Sequence, residues 1–409
     1  MFTASMIRTA SLSAWLALAA LASPGAVAEL PEHLIAETFG PIDTDFDFEN
    51  PVEPPSTFDL RFGNTVAMRN GIAFASIPFS FGGRVAVLNQ TASGWQRVQT
   101  INAPIRDAEF GRTITFRGGL LIVGDQTSAY VYKRNSNGMW TLRQTLRPPA
   151  ADGVMFFPLA LRYEAGTLLA CAAREGLPGL VYVFELGTDG RFFLRASLRA
   201  RDARPDDGFG RSLSMTKQEL VMGSSGAAYI FRRNSLGNWV QGQKLVPAGT
   251  AEGFGASVAI DQGMIIVGAP AEDIETEFDT PDDHWAGGAA YVFLPGVGRY
   301  VESLRLRPRV DEKDAYLDFG MQVAMFGRYI TISAVGRPTF QRLATEGIVF
   351  TYTRDGSTVL ARGIASAHLQ STSMALANNW LLVGDLGDQR CFFGCPGSAT
   401  LYDVNRFRQ

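Results

Sequence analysis

Histidine and cysteine are scarce in this chain, with three of each in 409 residues. His33, His284 and His368 stand apart, and none sits in a His-Glu-x-x-His or His-x-His pattern. That excludes the local zinc-hydrolase arrangements, which need two ligands on one short segment. There is no Gly-x-Ser-x-Gly elbow, no glycine-rich phosphate loop with its lysine, and no Cys-x-x-Cys pair. No local motif asks for catalysis, a cofactor or a resident metal, so the expectation is a chain that is not an enzyme. Charge of one sign is lacking too. The net charge is −3, which argues against nucleic acid and anionic membrane surfaces as partners.

Long apolar runs are confined to the start. Arg8 precedes an apolar run over 12–21, and Ala26-Val27-Ala28 is a small-x-small cleavage pattern. The run is shorter than the ~20 residues a membrane span needs, so 1–28 reads as a secretory signal peptide cut between Ala28 and Glu29. A soluble, exported chain, periplasmic or extracellular, is the expectation. Its net charge would be −4, because the segment removed carries one arginine and no acid.

What the chain does have is repetition. The clearest copy reads Phe254-Gly255-Ala256-Ser257-Val258-Ala259-Ile260, then Met264-Ile265-Ile266-Val267-Gly268-Ala269-Pro270, then Gly288-Ala289-Ala290-Tyr291-Val292-Phe293. Equivalent anchors fall at Phe62-Gly63, Phe110-Gly111, Phe157-Pro158, Phe209-Gly210 and Phe319-Gly320, with a degenerate seventh near Leu369-Gln370. Their spacing of 45 to 65 residues fits propeller blades of about 40–50 residues, the longer steps carrying inserted loops.

Each copy predicts four strands. The first follows the anchor. The second is a continuous apolar run, as at 120–123, 168–171, 264–267 and 380–383, which marks a strand buried on both faces. The third alternates aromatic and β-branched residues, as in Ala129-Tyr130-Val131-Tyr132, and reads as half-buried. The fourth opens on an aromatic (Trp95, Trp140, Phe192, Trp239, Tyr300) and alternates with polar residues, as an outer edge does.

These segments resemble the FG-GAP repeat of integrin α-subunits and many secreted bacterial proteins, over about residues 58–405. The resemblance implies an all-β fold, a seven-bladed β-propeller of four-stranded antiparallel blades. The seventh copy lacks a fourth strand, and His33-Leu34-Ile35-Ala36-Glu37-Thr38-Phe39 is predicted to supply it and close the ring. Domain organisation is then a signal peptide over 1–28, closing strand and linker over 29–57, and propeller over 58–409. In calcium-binding members of the family an Asp-rich loop lies between the first two strands. Here those hairpins (69–71, 116–119, 261–263, 326–328) are too short for such a loop, so no metal is assigned.

Two acidic clusters remain. Asp43-Thr44-Asp45-Phe46-Asp47-Phe48 has Phe48 where a turn-forming glycine belongs and reads as a solvated linker. The second follows the fifth copy's Val-Gly-Ala-Pro: Glu272, Asp273, Glu275, Glu277, Asp279, Asp282, Asp283, His284 and Trp285. It reads either as a solvated loop or as a binding loop carrying an exposed aromatic. Cys391 and Cys395 flank Phe392-Phe393-Gly394, and an oxidising compartment favours a local disulfide over half a zinc site. Cys171, inside an apolar strand, reads as a small buried hydrophobe. The loops 269–286, 333–346 and 384–396 should crowd one sector of one face. The leading expectation is a monomeric, non-catalytic propeller that binds a protein or glycan there. The alternatives are a hydrolase or lyase working on the loop face or in the central channel, and a purely structural envelope module.

Overall fold

A computed structural model describes residues 35–39, 62–78, 82–105, 109–272, 287–307, 316–336, 347–355, 358–366, 373–377, 380–385 and 398–403. The expected signal peptide with its Ala28/Glu29 cleavage position, the 43–48 cluster, Asp273 to Trp285, and Cys391 and Cys395 lie outside the described residues. Seven antiparallel sheets form a β-propeller. Blade 5 is representative: Ser257–Asp261, Met264–Ala269, Ala289–Pro295 and Tyr300–Leu306, paired in sequence order from the channel outward. Blades 3 and 6 each add a short strand, Val154–Phe156 and Tyr316–Leu317, that pairs with the second strand beside the inner one.

Burial follows the apolar runs. The second strand of blade 2, Leu120–Gly124, is buried at every residue, as expected for a strand between two neighbouring blades. The third strand is more enclosed than its alternation suggested. Tyr130, Val131 and Tyr132 are all buried, because blades pack on both faces of it and the period-two pattern separates aromatic from aliphatic, not wet from dry. The outer strands do alternate, with Trp95, Trp140, Phe192, Trp239 and Tyr300 all buried.

Three devices hold blade to blade. The anchors Phe110, Phe157, Phe209, Phe254 and Phe319 are buried in clusters shared with the preceding blade and meet the third-strand aromatic of their own blade edge-to-face. Phe110–Tyr130, Phe209–Tyr229 and Phe254–Tyr291 have centroids 5.6, 5.5 and 5.3 Å apart, a geometry worth about 0.5–1.5 kcal/mol beyond burial. Second, the glycine of Phe-Gly lets the backbone touch the preceding blade. Gly255 has φ of 91°, and a Cβ there would lie 2.2 Å from the Ser224 carbonyl oxygen, so only glycine fits. Its N–H donates to the Gly268 carbonyl at 3.0 Å. Third, hydroxyls of the inner strands donate to the next anchor: Ser212 Oγ to Gly255 O at 2.9 Å and Ser257 Oγ to Gly320 O at 2.7 Å.

The outer rim adds a fourth contact at three seams. The side-chain amide of Gln144 donates to Phe192 O and accepts from Phe192 N–H, both at 2.8 Å. Gln99 grips Trp140 and Gln243 grips Tyr300 in the same way. The ring closes as the sequence predicts. Ile35–Phe39 pairs antiparallel with Ser398–Asp403, Glu37 opposite Leu401 and Phe39 opposite Ala399. Ser373 Oγ donates to Gly63 O at 2.8 Å, joining the seventh blade to the first.

Candidate functional site

The connection between second and third strand lies on the same face as the anchors. It is two residues long in blades 3 and 4, at 175–176 and 225–226. In blades 5, 6 and 7 it spans 270–288, 337–346 and 386–397. The described ends of these three connections lie on consecutive blades at one face.

The structure describes the base of the acidic loop. Glu272 is not presented to solvent. It is 2% exposed, and its carboxylate accepts from Tyr291 Oη at 2.6 Å and from Arg307 at 2.9 Å and pairs with Arg305. A buried carboxylate held by two guanidinium groups and a phenol acts as a structural anchor. Its partners lie in the third strand, in the outer strand and just beyond it, out of reach of a local reading. The Gly288 N–H donates to the Glu272 carbonyl at 3.0 Å. The two described ends of the insertion are thus tied together.

Glu272 belongs to a pattern that sequence reasoning missed. The third-strand tyrosine is hydrogen-bonded to an acid in blades 2, 3 and 5, each acid coming from a different place. Tyr130 Oη donates to Asp125 Oδ2 at 2.7 Å, Tyr182 to Asp152 at 2.5 Å and Tyr291 to Glu272 at 2.6 Å. Tyr229 interacts with Asp202, which also pairs with Lys244. Burial first, then the carboxylate, pushes the Tyr130 phenol up to about 12. Burial likewise raises Tyr182, Tyr229 and Tyr291 above the ordinary tyrosine value. These acids are stabilising caps for tyrosines, and their spacing in sequence varies because only the tyrosine position is fixed.

The second place of interest is the channel on the propeller axis, a cavity of about 330 Å³ lined by all seven inner strands. At its hairpin end stand Arg69, Arg117 and Glu164, on blades 1, 2 and 3, with Asp261 on blade 5. Arg117 and Glu164 are ion-paired. Asp261 accepts the Gly327 N–H at 2.9 Å, and Arg69 stacks toward Phe326 at 6.0 Å. Arg162 reaches into the same space one layer in.

Among the described residues no group of three or more His, Cys, Asp and Glu is placed to hold a metal ion. No described helix is long and apolar enough to cross a membrane. Cys171 is buried, its thiol pushed up to about 12 by burial. It is more than the small hydrophobe expected, since its Sγ lies 3.6 Å from the Phe209 carbonyl of the next blade.

The comparisons agree with this geometry. The FG-GAP repeat family matches residues 239–293, which run from the outer strand of blade 4 through the core of blade 5. No curated protein matches the sequence. Among solved structures, a protein from Lactobacillus plantarum is 14% identical, with 75% of this chain and 85% of that one covered and a TM-score of 0.50. The WD40 domain of Neurospora crassa Pan2 is 9% identical, with 92% of this chain and 98% of that one covered and a TM-score of 0.53. At such identities the likeness is one of fold. The chain is a seven-bladed β-propeller that carries an FG-GAP repeat over residues 239–293.

Proposed function

We propose that this protein is an exported, non-catalytic recognition scaffold that binds a protein or glycan through the loops of blades 5, 6 and 7. One observation carries the reading. The described ends of the longest insertion, 273–286, are tied by the Gly288 to Glu272 hydrogen bond and by the buried Glu272 with Tyr291, Arg305 and Arg307. Tied ends limit the ordering entropy that a free loop of that length loses on binding. The loop's own residues, Asp273, Glu275, Asp279, Asp282, Asp283, His284 and Trp285, combine hydrogen-bond acceptors with one aromatic, a composition suited to a polar partner. The structural use of Asp125, Asp152 and Glu272 as tyrosine caps supports a scaffold role for those acids over a catalytic one. Export rests on the amino-terminal segment 1–28.

The test replaces 273–286 by a short Gly-Ser link and leaves Glu272 and Gly288 in place. Both proteins are immobilised and challenged with separated protein and glycan fractions of a cell envelope. Retention of one component by the unaltered protein alone is the expected result. Equal retention by both proteins would remove the loop from the account, and retention by neither would favour a purely structural module.

A further inference from the structure

The inner strands form stacked layers around the channel, one residue per blade. One layer holds Ala67, Thr115, Ser214, Ala259, Ala324 and Ala375, all small. The register of the inner hairpins puts Arg162 of blade 3 at the same level, opposite Leu169 as Thr115 is opposite Ile122. The small members of the layer face the next blade. The Thr115 and Ser214 hydroxyls accept N–H groups of Tyr163 and Ile260 there, at 3.3 and 3.0 Å. Packing alone thus calls for a small side chain in blade 3, and the sequence supplies its longest cation.

The surroundings of Arg162 do not compensate it. Its Nε is buried, with no hydrogen-bond partner among the described residues. The charges that reach it are Arg117, Glu164, Arg69 and Asp261. Of the two acids, Glu164 is paired with Arg117 and Asp261 is hydrogen-bonded to Gly327. Two guanidinium groups, Arg69 and Arg162, therefore face the channel without a bonded carboxylate among the described residues. The Arg162 side chain is half-buried with its Nε enclosed. An enclosed donor left without a partner is costly, and sites kept at a stability cost are characteristic of binding.

We propose that the hairpin end of the channel binds a small oxyanion, a carboxylate, sulfate or phosphate group, with Arg162 and Arg69 as its donors and Arg117 as the third positive neighbour. Guanidinium forks match the planar or tetrahedral oxygens of such groups, and a desolvated pocket strengthens the bond. Burial and Arg117 already press both arginines below their ordinary pKa, a like-charge crowding that an anion would relieve. The cavity of about 330 Å³ accommodates an anion attached to a body no larger than a sugar acid. This site opens on the face opposite the long loops and does not depend on them.

The experiment is thermal melting at constant ionic strength in sodium chloride, phosphate, sulfate or glucuronate, on the unaltered chain and on Arg162→Met, Arg69→Gln and, as an exposed control, Arg143→Gln. The unaltered chain and Arg143→Gln should gain about 2 °C or more over chloride, saturably. Arg162→Met and Arg69→Gln should lose that gain, and Arg162→Met in chloride should melt at or above the unaltered protein. Saturation at lower glucuronate than phosphate would identify a sugar acid as the ligand, and the reverse order a phosphate. The proposal falls if no anion exceeds chloride, if Arg162→Met keeps the full gain, or if Arg69→Gln keeps it. Arg69 is at the half-exposed rim, so Arg69→Gln reads the site even if the Arg162 variant folds poorly.

Discussion

Blades 5 and 3 solve one packing problem with different residues. Blade 5 keeps the repeat intact: Phe254-Gly255, Val267-Gly268, and Ser257 donating to the next anchor. Blade 3 has Phe157-Pro158, Ala170-Cys171, and Ala160 where that serine would stand. Yet Phe157 is as buried as Phe254 and meets Tyr182 edge-to-face at 5.8 Å. Cys171, in the place of Gly268, directs its Sγ to the Phe209 carbonyl, replacing the missing hydroxyl donor. Pro158 cannot donate as Gly255 does, and Leu159 N–H bonds the Cys171 carbonyl at 3.0 Å instead. The repeat therefore preserves contacts, and the residues that make them are exchangeable. Arg162 is the departure in blade 3 that no packing contact explains.

The largest effect that tests this equivalence is at the anchors. Phe254→Ala and Phe157→Ala should each cost about 3–5 kcal/mol in urea denaturation, and a Phe157 cost below half of the Phe254 cost would break the comparison. The next sharpens the difference. Gly268→Ala should cost about 2–3 kcal/mol, because its Cβ would lie 2.0 Å from the Gly320 carbonyl oxygen. Cys171→Ala, at the equivalent place, should cost only about 1 kcal/mol through its weak donor and lost volume. Tyr291→Phe should cost about 1 kcal/mol, since Glu272 is fully buried, and Tyr182→Phe less, since Asp152 is half-exposed and can turn to water.

The smallest effect is in pH dependence. The phenols of Tyr130, Tyr182 and Tyr291 are held above their unfolded value, so the fold favours the protonated form. Their contribution is complete below about pH 10 and is lost as pH rises through the raised folded values. Urea midpoints should hold level up to about pH 10 and fall above it, together with phenolate absorbance. Each Tyr→Phe change should flatten that fall, and a slope unchanged in both variants would contradict the capping account.

Most of the fold was legible because it is written in local patterns. Apolar runs at 120–123 and 264–267 announce strands between blades, and the spare strand at 33–39 announces closure. What was not legible depends on partners far along the chain. Glu272 looked like the first member of an acidic loop, and only Arg305 of the outer strand and Arg307 just beyond it show it to be an anchor. The third strand's alternation reads as half-buried, yet both of its faces meet aromatics or aliphatics of neighbouring blades. Arg162 carried a usable signal, since lining up the inner strands sets it against alanine, threonine and serine. That comparison needs the hairpin register, which the weak third anchor hid. The residues of the acidic loop beyond Glu272 and the Cys391 and Cys395 pair lie outside the described residues and stand as read from sequence.

The central claim is that seams of unlike sequence hold the blades into one cooperative ring. Native-state hydrogen exchange followed by mass spectrometry, on peptides covering Thr167–Arg174 of blade 3 and Met264–Ala269 of blade 5, tests it most directly. The account predicts that the two second strands exchange together, by the same global opening. Early exchange of the blade 3 strand, with blade 5 still protected, would contradict it.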